Sequence, residues 1–254
     1  MSTQTPLVFV HGNPETSAVW GPLLACLDRP HAVCLSPPGF GAPLPANFDA
    51  TPAGYREWLI GQLQLFREPV DLVGHDWGGG HVFAAAMARP ELIRCWVSDV
   101  VGIFDAEYVW HPLAQIWQTE GAGEAWVQET IGAPLATRVD AMRALGIEAT
   151  VAERLAAGMD ADMGRAILSL YRAARQPVMS DAGSRAAAAA AAPGLVLCAS
   201  ADDMTGTAQM RRRVADAAGA DVVDLDGLGH WWMVQDPTRS AAVLEKYFAQ
   251  QERR

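Results

Sequence analysis

Six short apolar runs recur along the chain, and longer segments of mixed polarity lie between them. The runs are continuous or β-branched rather than alternating, which is typical of strands covered on both faces of a sheet. They span residues 7–10, 32–35, 70–73, 95–98, 195–199 and 221–225. Helices are predicted at residues 51–66, 78–88, 207–218 and 237–250. This alternation predicts an α/β fold with a parallel sheet and right-handed crossovers.

The alternation stops between residues 104 and 185, where the composition is helical. Tryptophan and methionine side chains are spread through this segment, which stands between two predicted strands. We expect it to cover the carboxyl edge of the sheet, where α/β proteins bind ligands. The prediction is one core formed by residues 1–103 and 186–254, with a helical cap at 104–185. The alternative is an ordinary helical extension of the core.

The strongest chemical signal is the segment Val-Asp-Leu-Val-Gly-His-Asp-Trp-Gly-Gly-Gly at residues 70–80. A strand leads into Gly-x-Asp-x-Gly, the spacing of a nucleophile elbow with Asp76 in the place of serine. Glycines flank the central residue because the turn is sharp and the helix must approach the strand closely. The alternative is a structural turn with an aspartate cap. A dinucleotide-binding Gly-x-Gly-x-x-Gly is not present at this turn.

A histidine and an acid follow this aspartate in the order expected for a catalytic triad. His230 stands in Gly-Leu-Gly-His-Trp-Trp after the last predicted strand, and is the candidate general base. The acid is sought in Ala-Ser-Ala-Asp-Asp-Met-Thr at residues 199–205. Asp203 is preferred because it lies four residues after the last core residue of the preceding strand. Asp202 and Asp99 remain alternatives.

Three motifs together carry a family resemblance: Gly-His-Asp-Trp-Gly-Gly, His-Gly-Asn-Pro-Glu at residues 11–15, and the late Gly-His. They resemble the branch of the α/β-hydrolases that uses an aspartate nucleophile, which holds epoxide hydrolases and the haloalkane and fluoroacetate dehalogenases. The resemblance covers residues 7–104 and 195–248, and covers the cap only thinly. It implies an α/β-hydrolase fold. Few residues precede the first predicted strand, so a small sheet of six strands is expected.

The resemblance also implies a mechanism with a covalent intermediate. A carboxylate that attacks an sp³ carbon forms an alkyl ester of the enzyme, and water activated by His230 then hydrolyses that ester. Backbone N–H groups of Asn13 and Trp77 are the expected oxyanion donors. The substrate should therefore carry an electrophilic carbon and a departing oxygen or halide.

The leaving group separates two hypotheses. An epoxide oxygen needs a proton donor, and Tyr171 stands where the resemblance places a ring-opening tyrosine. Trp126 occupies the region where a second tyrosine is expected, and is a candidate to line the pocket under the cap. A halide instead needs N–H donors, which the side chains of Asn13 and Trp77 offer. An epoxide hydrolase is favoured, a haloalkane dehalogenase is the alternative, and a non-catalytic ligand-binding protein is the third. A fluoroacetate dehalogenase is disfavoured because Trp77 replaces the expected arginine.

The amino-acid composition limits the kinds of partner that are expected for this protein. With 19 Lys and Arg against 29 Asp and Glu, the net charge is −10, so the basic footprint of a nucleic-acid-binding protein is missing. No apolar stretch is long enough to span a membrane, and no signal segment is apparent. The four cysteines lack metal or redox spacing, which predicts buried free thiols and a cytoplasmic location. We expect a small apolar substrate and neither metal nor cofactor; the oligomeric state stays open.

Overall fold

The computed structural model describes residues 5–253, which contain one parallel sheet of six strands in the order β2-β1-β3-β4-β5-β6. The strands are β1 (Leu7–Val10), β2 (Val33–Leu35), β3 (Val70–Gly74), β4 (Ile93–Ser98), β5 (Gly194–Ala199) and β6 (Asp221–Leu225). All neighbouring strands pair in parallel, so the predicted α/β fold is confirmed. The first four residues of the predicted core segment 1–103, and the last residue of 186–254, lie outside the described residues.

The helices flank the sheet and fill the segment between β4 and β5. They are α1 (Gly21–Leu24), α2 (Pro52–Leu63), α3 (Trp77–Ala88), α4 (Pro112–Gln118), α5 (Ala122–Trp126), α6 (Leu135–Ala144), α7 (Ala149–Ala157), α8 (Ala161–Ala173), α9 (Val178–Gly183), α10 (Ala208–Ala217), α11 (Trp232–Gln235) and α12 (Pro237–Gln251). Short 3₁₀ segments span Ser17–Trp20, Pro90–Leu92, Val101–Phe104 and Ala186–Ala191, and a π-helical turn spans Val127–Ile131.

Strands β1, β3 and β4 end at the same level of the sheet. Val10 is in register with Gly74, and Gly74 with Ser98. Because parallel strands point the same way, the residues after these strand ends enter their loops side by side. The register therefore brings the loop after β1, the elbow after β3 and the loop after β4 to one edge.

Glycines allow helix α3 to pack directly on this edge. A Cβ atom added to Gly74 would lie 2.5 Å from backbone atoms of Gly78 and Gly79, and one added to Gly78 would lie 2.1 Å from the carbonyl oxygen of Val10. Real Cβ atoms do not approach that closely, so side chains here would push the helix away from the strands. The motif's glycines thus fix the position of the first turn of α3.

Helix α8, in the segment between β4 and β5, contacts the loops after β1 and β2 at the carboxyl edge of the sheet. Leu44, in the loop after β2, donates its N–H to Asp162 of α8 at 2.9 Å, and the hydroxyl of Tyr171 in α8 reaches Asn13 beyond β1. Helix α8 buries one face, which includes Met163, Ile167, Leu170 and Tyr171. This apolar stripe at helical spacing explains why the segment packs on the core.

The structure also bears on two expectations, one about membrane-spanning helices and one about the cysteines. Among the described residues, no helix has both the length and the apolar character that crossing a bilayer requires. All four cysteines are free thiols: Cys95 and Cys198 are buried and Cys34 is partly buried. Cys26 is exposed, so the prediction of buried thiols is wrong there. It lies in the turn just beyond the four-residue helix α1.

Candidate active site

Asp76 occupies a strained turn between β3 and α3. Its backbone has φ 50° and ψ −130°, and it is the one non-glycine residue with positive φ in the described part of the chain. A side chain in this region costs energy that only the surrounding structure can offset, and such strain clusters at functional sites. The turn projects the carboxylate beyond the sheet edge. The elbow expected from the sequence is thus present in the backbone geometry.

The loop after β1 holds one oxygen of this carboxylate. Asn13 donates its backbone N–H to Oδ1 of Asp76 at 2.9 Å, and its side-chain amide approaches the same oxygen at 3.4 Å. Burial raises the pKa of Asp76 to about 6, against the opposing effect of His230 and His75. Asp76 is therefore largely ionised at neutral pH but has lost most of its hydration. This is a suitable condition for a nucleophile.

His230 is oriented by Asp202 and faces Asp76. Its Nδ1 lies 3.0 Å from Oδ2 of Asp202, and its Nε2 lies 3.8 Å from Oδ2 of Asp76. Burial alone would lower the pKa of His230, but the hydrogen bond and charge of Asp202 raise it above its ordinary value. Burial opposes ionisation of Asp202 as well, yet the bond to His230 brings the pKa of Asp202 to about 2.

The preference for Asp203 as the acid is wrong. Its side chain is exposed, whereas Asp202 is buried and makes the bond to His230. The turn after β5 explains the difference. Asp202 accepts the backbone N–H of Met204 at 2.8 Å and the hydroxyl of Thr205 at 3.2 Å, which hold its side chain inward.

A buried ionic network, which the sequence analysis missed, lies behind the nucleophile. His75 approaches Oδ2 of Asp99 with Nδ1 at 2.6 Å and Oε1 of Glu15 with Nε2 at 3.1 Å. Burial would lower the pKa of His75, but the two carboxylates raise it well above its ordinary value. Asp99 also accepts the backbone N–H of Asp76 at 3.0 Å, so the network supports the strained turn. Asp99 thus serves His75, and the alternative that it orients His230 is wrong.

Two tryptophans from the loop that carries His230 close this network. Trp231 donates its indole N–H to Glu15 at 2.5 Å, and Trp232 donates to Asp99 at 2.6 Å. The Gly-His-Trp-Trp motif and the Pro-Glu after Asn13 were the sequence signals for it. The network ties the late loop to the elbow and sets the position of His230.

One group of residues has the composition of a metal site. Ligand atoms of Glu15, His75 and His230 lie within 4.8 Å of one another. The side chains of Glu15 and His75 already bond to each other, and Nδ1 of His230 bonds to Asp202. The arrangement is explained by these hydrogen bonds and does not call for an ion.

Tyr171 lies directly above Asn13 and Trp77. Its hydroxyl oxygen accepts the side-chain N–H of Asn13 at 3.2 Å, and its ring stands edge-on to that of Trp77, with ring centroids 5.5 Å apart. Burial and the charge of Asp76 raise the pKa of Tyr171 well above its ordinary value, which the hydrogen bond from Asn13 opposes. The structure therefore brings together Asp76, Asn13, Trp77 and Tyr171, as the sequence analysis expected.

A narrow chamber with a cavity volume of about 10 Å³ lies above the nucleophile. It is lined by Asp76, Trp77, Val100, Ile103, Tyr108, Trp110, His111, Tyr171, Met204 and Thr205. The prediction that Trp126 reaches the pocket is wrong. Trp117 stands between it and Tyr171, with ring centroids 5.0 Å from Trp126 and 4.5 Å from Tyr171.

A larger cleft of about 530 Å³ runs along the outer side of α3. Trp77 is the residue that lines both this cleft and the chamber, and the cleft contains none of Asp76, Asp202 and His230. The chemistry therefore belongs to the smaller, enclosed chamber.

Comparisons with known proteins agree with this architecture. The model of the alpha/beta hydrolase family matches residues 7–243. An epoxide hydrolase of Caballeronia sordidicola is 34% identical over 94 residues, which are 35% of this chain and 28% of that protein. The matches to curated relatives span about a third or less of those proteins.

Solved structures resemble the whole chain. A mutant of a provisionally named epoxide hydrolase from Pseudomonas aeruginosa has a TM-score of 0.75 at 22% identity, over 99% of this chain and 90% of its own. A haloalkane dehalogenase from Bradyrhizobium elkani has a TM-score of 0.72 at 21% identity, over 99% and 92%. At such identities the likeness shows the fold alone.

Proposed function

Because the chain belongs to the α/β-hydrolase family, we propose that it is a hydrolase that opens an apolar epoxide through an alkyl ester on Asp76. The proposal is supported by an ionisable carboxylate and a tyrosine that line one chamber, and by a histidine–aspartate pair that faces the carboxylate. An ester or amide hydrolase would use a serine at the elbow, where this chain has Asp76.

In the first step, Oδ2 of Asp76 attacks a ring carbon, because Oδ1 is already held by the backbone N–H of Asn13. The C–O bond of the epoxide breaks, and its electron pair moves onto the oxygen. Tyr171 gives its phenolic proton to that oxygen and is later reprotonated from solvent. A covalent hydroxyalkyl ester remains on Asp76.

In the second step, His230 takes a proton from water that attacks the carboxyl carbon of Asp76. Negative charge then develops on Oδ1, and the N–H of Asn13 stabilises it. Asp202 keeps the Nδ1 proton of His230 in place and stabilises the imidazolium that forms. The ester C–O bond breaks, the diol leaves with the proton from His230, and Asp76 is regenerated.

One observation favours an epoxide over a halide. The side chains of Asn13 and Trp77 are the donors that a departing halide would need, and the hydroxyl oxygen of Tyr171 already accepts the side-chain N–H of Asn13 at 3.2 Å. Among the described residues no acceptor takes the O–H proton of Tyr171, so this proton is available to a substrate. A halide would have to displace this tyrosine, whereas an epoxide oxygen would use it.

The test is product analysis with small apolar substrates, such as styrene oxide and 1-bromohexane. We expect diol release from the epoxide and negligible bromide release. His230→Gln should stop at the ester, so mass spectrometry of the digested protein should find the adduct on Asp76. Bromide release faster than diol release would instead favour a dehalogenase.

Tyr171→Phe tests the proton donor. We expect slower ester formation from the epoxide, because the leaving oxygen loses its proton source. The matched control is Tyr55→Phe, since the hydroxyl of Tyr55 donates to the carbonyl of Pro38 at 2.7 Å, away from the chamber. Unchanged epoxide turnover in Tyr171→Phe would remove this assignment.

A further inference from the structure

The cleft along the outer side of α3 has no part in the reaction proposed above. Residues of α2, α3, α9 and the 3₁₀ segment Ala186–Ala191 line it. Its volume of about 530 Å³ is in the range of small-molecule binding sites. Among the described residues that line it, none is a serine, threonine or cysteine. The cleft is therefore suited to holding a ligand rather than to covalent chemistry.

Most of the lining is apolar. Met87, Phe104 and Met179 supply the larger side chains, and alanines of α2, α3 and α9 leave space between them. Unbranched methionine side chains adapt their shape to flexible apolar groups. This surface suits an aliphatic chain.

One buried polar group in this apolar wall has no partner. His81 is 2% exposed, and its ring stacks on those of Tyr55 and Trp77, with ring centroids 4.8 Å and 5.7 Å away. Its Nε2 makes no hydrogen bond to any described residue. A buried polar atom without a partner costs the free energy of its lost hydration. A ligand atom that bonds to Nε2 would remove this cost.

The state of this ring indicates which ligand group fits it. Burial, assisted by the charge of His11, lowers the pKa of His81 to about 3, so the ring is neutral at pH 7. A nitrogen of a neutral imidazole either donates or accepts, depending on the tautomer, and a hydroxyl group does both. A ligand hydroxyl would therefore satisfy Nε2 in either tautomer.

The charged residues of the cleft favour an anion. Arg185 is exposed, and its guanidinium has no ion-pair partner among the described residues. Arg56 uses Nε and Nη2 for its pair with Glu57, which leaves Nη1 for another acceptor. Asp181 is the acid that lines the cleft, so two cations face one anion there, although the whole chain carries −10. Guanidinium groups match the geometry of a carboxylate.

We propose that this cleft binds an aliphatic hydroxy carboxylate, with its hydroxyl on Nε2 of His81 and its carboxylate on Arg56 and Arg185. The aliphatic chain packs on the methionines and Phe104 between these two ends. The site is separate from that of Asp76, and the side chain of Trp77 stands between the cleft and the chamber. Binding here does not depend on which reaction Asp76 catalyses.

Calorimetric titration with ω-hydroxy carboxylates of six, eight and ten carbons tests the hydroxyl contact, with each unsubstituted acid as its reference. For the chain length that binds best, we expect the hydroxylated acid to bind about 5-fold more tightly, the ratio of a typical net hydrogen bond. His81→Phe should abolish this preference and keep the affinity for the unsubstituted acid. Phenylalanine retains a stacked ring and removes the unpartnered nitrogen, so the melting temperature should not fall.

Exchanges of surface charge test the carboxylate contact, and they do not depend on whether His81→Phe folds. Arg185→Gln should weaken binding of every acid in the series by about 5-fold, as for an exposed ion pair. Asp181→Asn should strengthen it, because the like charge is removed. The matched control is Arg143→Gln in α6, which removes the same charge from an exposed position outside the cleft and should leave the affinity unchanged.

Four outcomes would overturn the proposal. The first is that no acid of the series binds, and the second is that hydroxylated and unsubstituted acids bind equally. The third is that Arg185→Gln and Arg143→Gln weaken binding alike, which would show an effect of net charge alone. The fourth is that Tyr171→Phe alters the affinity while the cleft variants do not, which would place the acid in the chamber. If the acids bind as expected but no epoxide forms an ester on Asp76, the proposed function fails and the cleft site stands.

Discussion

Nδ1 of His230 lies 3.0 Å from Oδ2 of Asp202, while the neighbouring Asp203 is directed to solvent. The bond fixes the ring so that Nε2 faces Asp76. It also raises the pKa of His230, because the carboxylate stabilises the protonated ring. The two adjacent aspartates therefore offer a matched pair of variants.

Asp202→Asn should lower epoxide turnover by roughly 10²- to 10⁴-fold, because the ring loses its orientation and the imidazolium loses its counter-charge. The pKa of His230 should fall, so the acidic limb of the residual activity should move to lower pH. Asp203→Asn should leave rate and pH profile unchanged. Steady-state rates between pH 5 and 9 test both, and the reverse ranking would restore Asp203 as the acid.

The pKa values of Asp76 and His230 predict that the two steps respond differently to pH. Ester formation needs ionised Asp76, whose pKa is about 6, so its rate should fall as the pH drops through that value. Ester hydrolysis needs neutral His230, whose pKa is raised above its ordinary value, so this step should fall at a higher pH. In the interval between, the ester should accumulate.

Rapid quenching and mass spectrometry of the intact protein measure this interval. We expect a larger steady-state fraction of esterified protein near pH 6.5 than at pH 8.5. A fraction that rises with pH instead would contradict the assignment of His230 to the hydrolytic step.

The contact between His75 and Asp99 should contribute to the stability of the fold, although neither residue takes part in the proposed reaction steps. Asp99 accepts hydrogen bonds from His75, from the indole of Trp232 and from the backbone N–H of Asp76. Glu15 would still balance the charge of His75 in a variant, so the cost is that of weakening hydrogen bonds to a charged group, about 1.5–3 kcal/mol. We expect Asp99→Asn to lower the free energy of unfolding by about that amount. Asp99→Asn also weakens the acceptor of the N–H of Asp76, so the strained turn should loosen with it.

The control for this prediction is Asp224→Asn. Asp224 pairs with Arg212 on the surface, where both side chains are about half exposed, and such pairs contribute about 0–1 kcal/mol. Urea denaturation of the three proteins measures the difference. If Asp99→Asn and Asp224→Asn lowered the free energy of unfolding equally, His75 would not carry the buried charge.

The elbow could be predicted from the sequence because its requirements are local. Gly-x-Asp-x-Gly after an apolar run determines both the turn and the close approach of α3, with no information from distant residues. Asn13 and Tyr171 were found through their motif contexts. The acid could not be chosen the same way, since Asp202 and Asp203 follow the same strand. The choice depends on contacts of Asp202 with Met204 and Thr205 inside a turn.

Other parts of the site depend on long-range packing. His75 and Glu15 are 60 positions apart in sequence and meet only because β1 and β3 are adjacent in register. Trp126 was placed in the pocket from its position in the cap, but the fold puts Trp117 in front of it. Single-sequence spacing contains none of these relationships.

Gly12→Ala should slow turnover strongly through a steric clash at the nucleophile. A Cβ atom at this position would lie 2.1 Å from Oδ1 of Asp76, which would have to move away from the N–H of Asn13. A displacement of about 1 Å can cost about 10²-fold in rate, so ester formation should fall by at least that factor.

Gly61→Ala in α2 is the control, because an added Cβ there meets nothing within 4 Å. It should keep full activity and stabilise the helix by about 0.5–1 kcal/mol. Single-turnover rates and urea denaturation of both variants decide the matter: a Gly12→Ala enzyme with normal ester formation would show that Asp76 does not attack from the geometry described above.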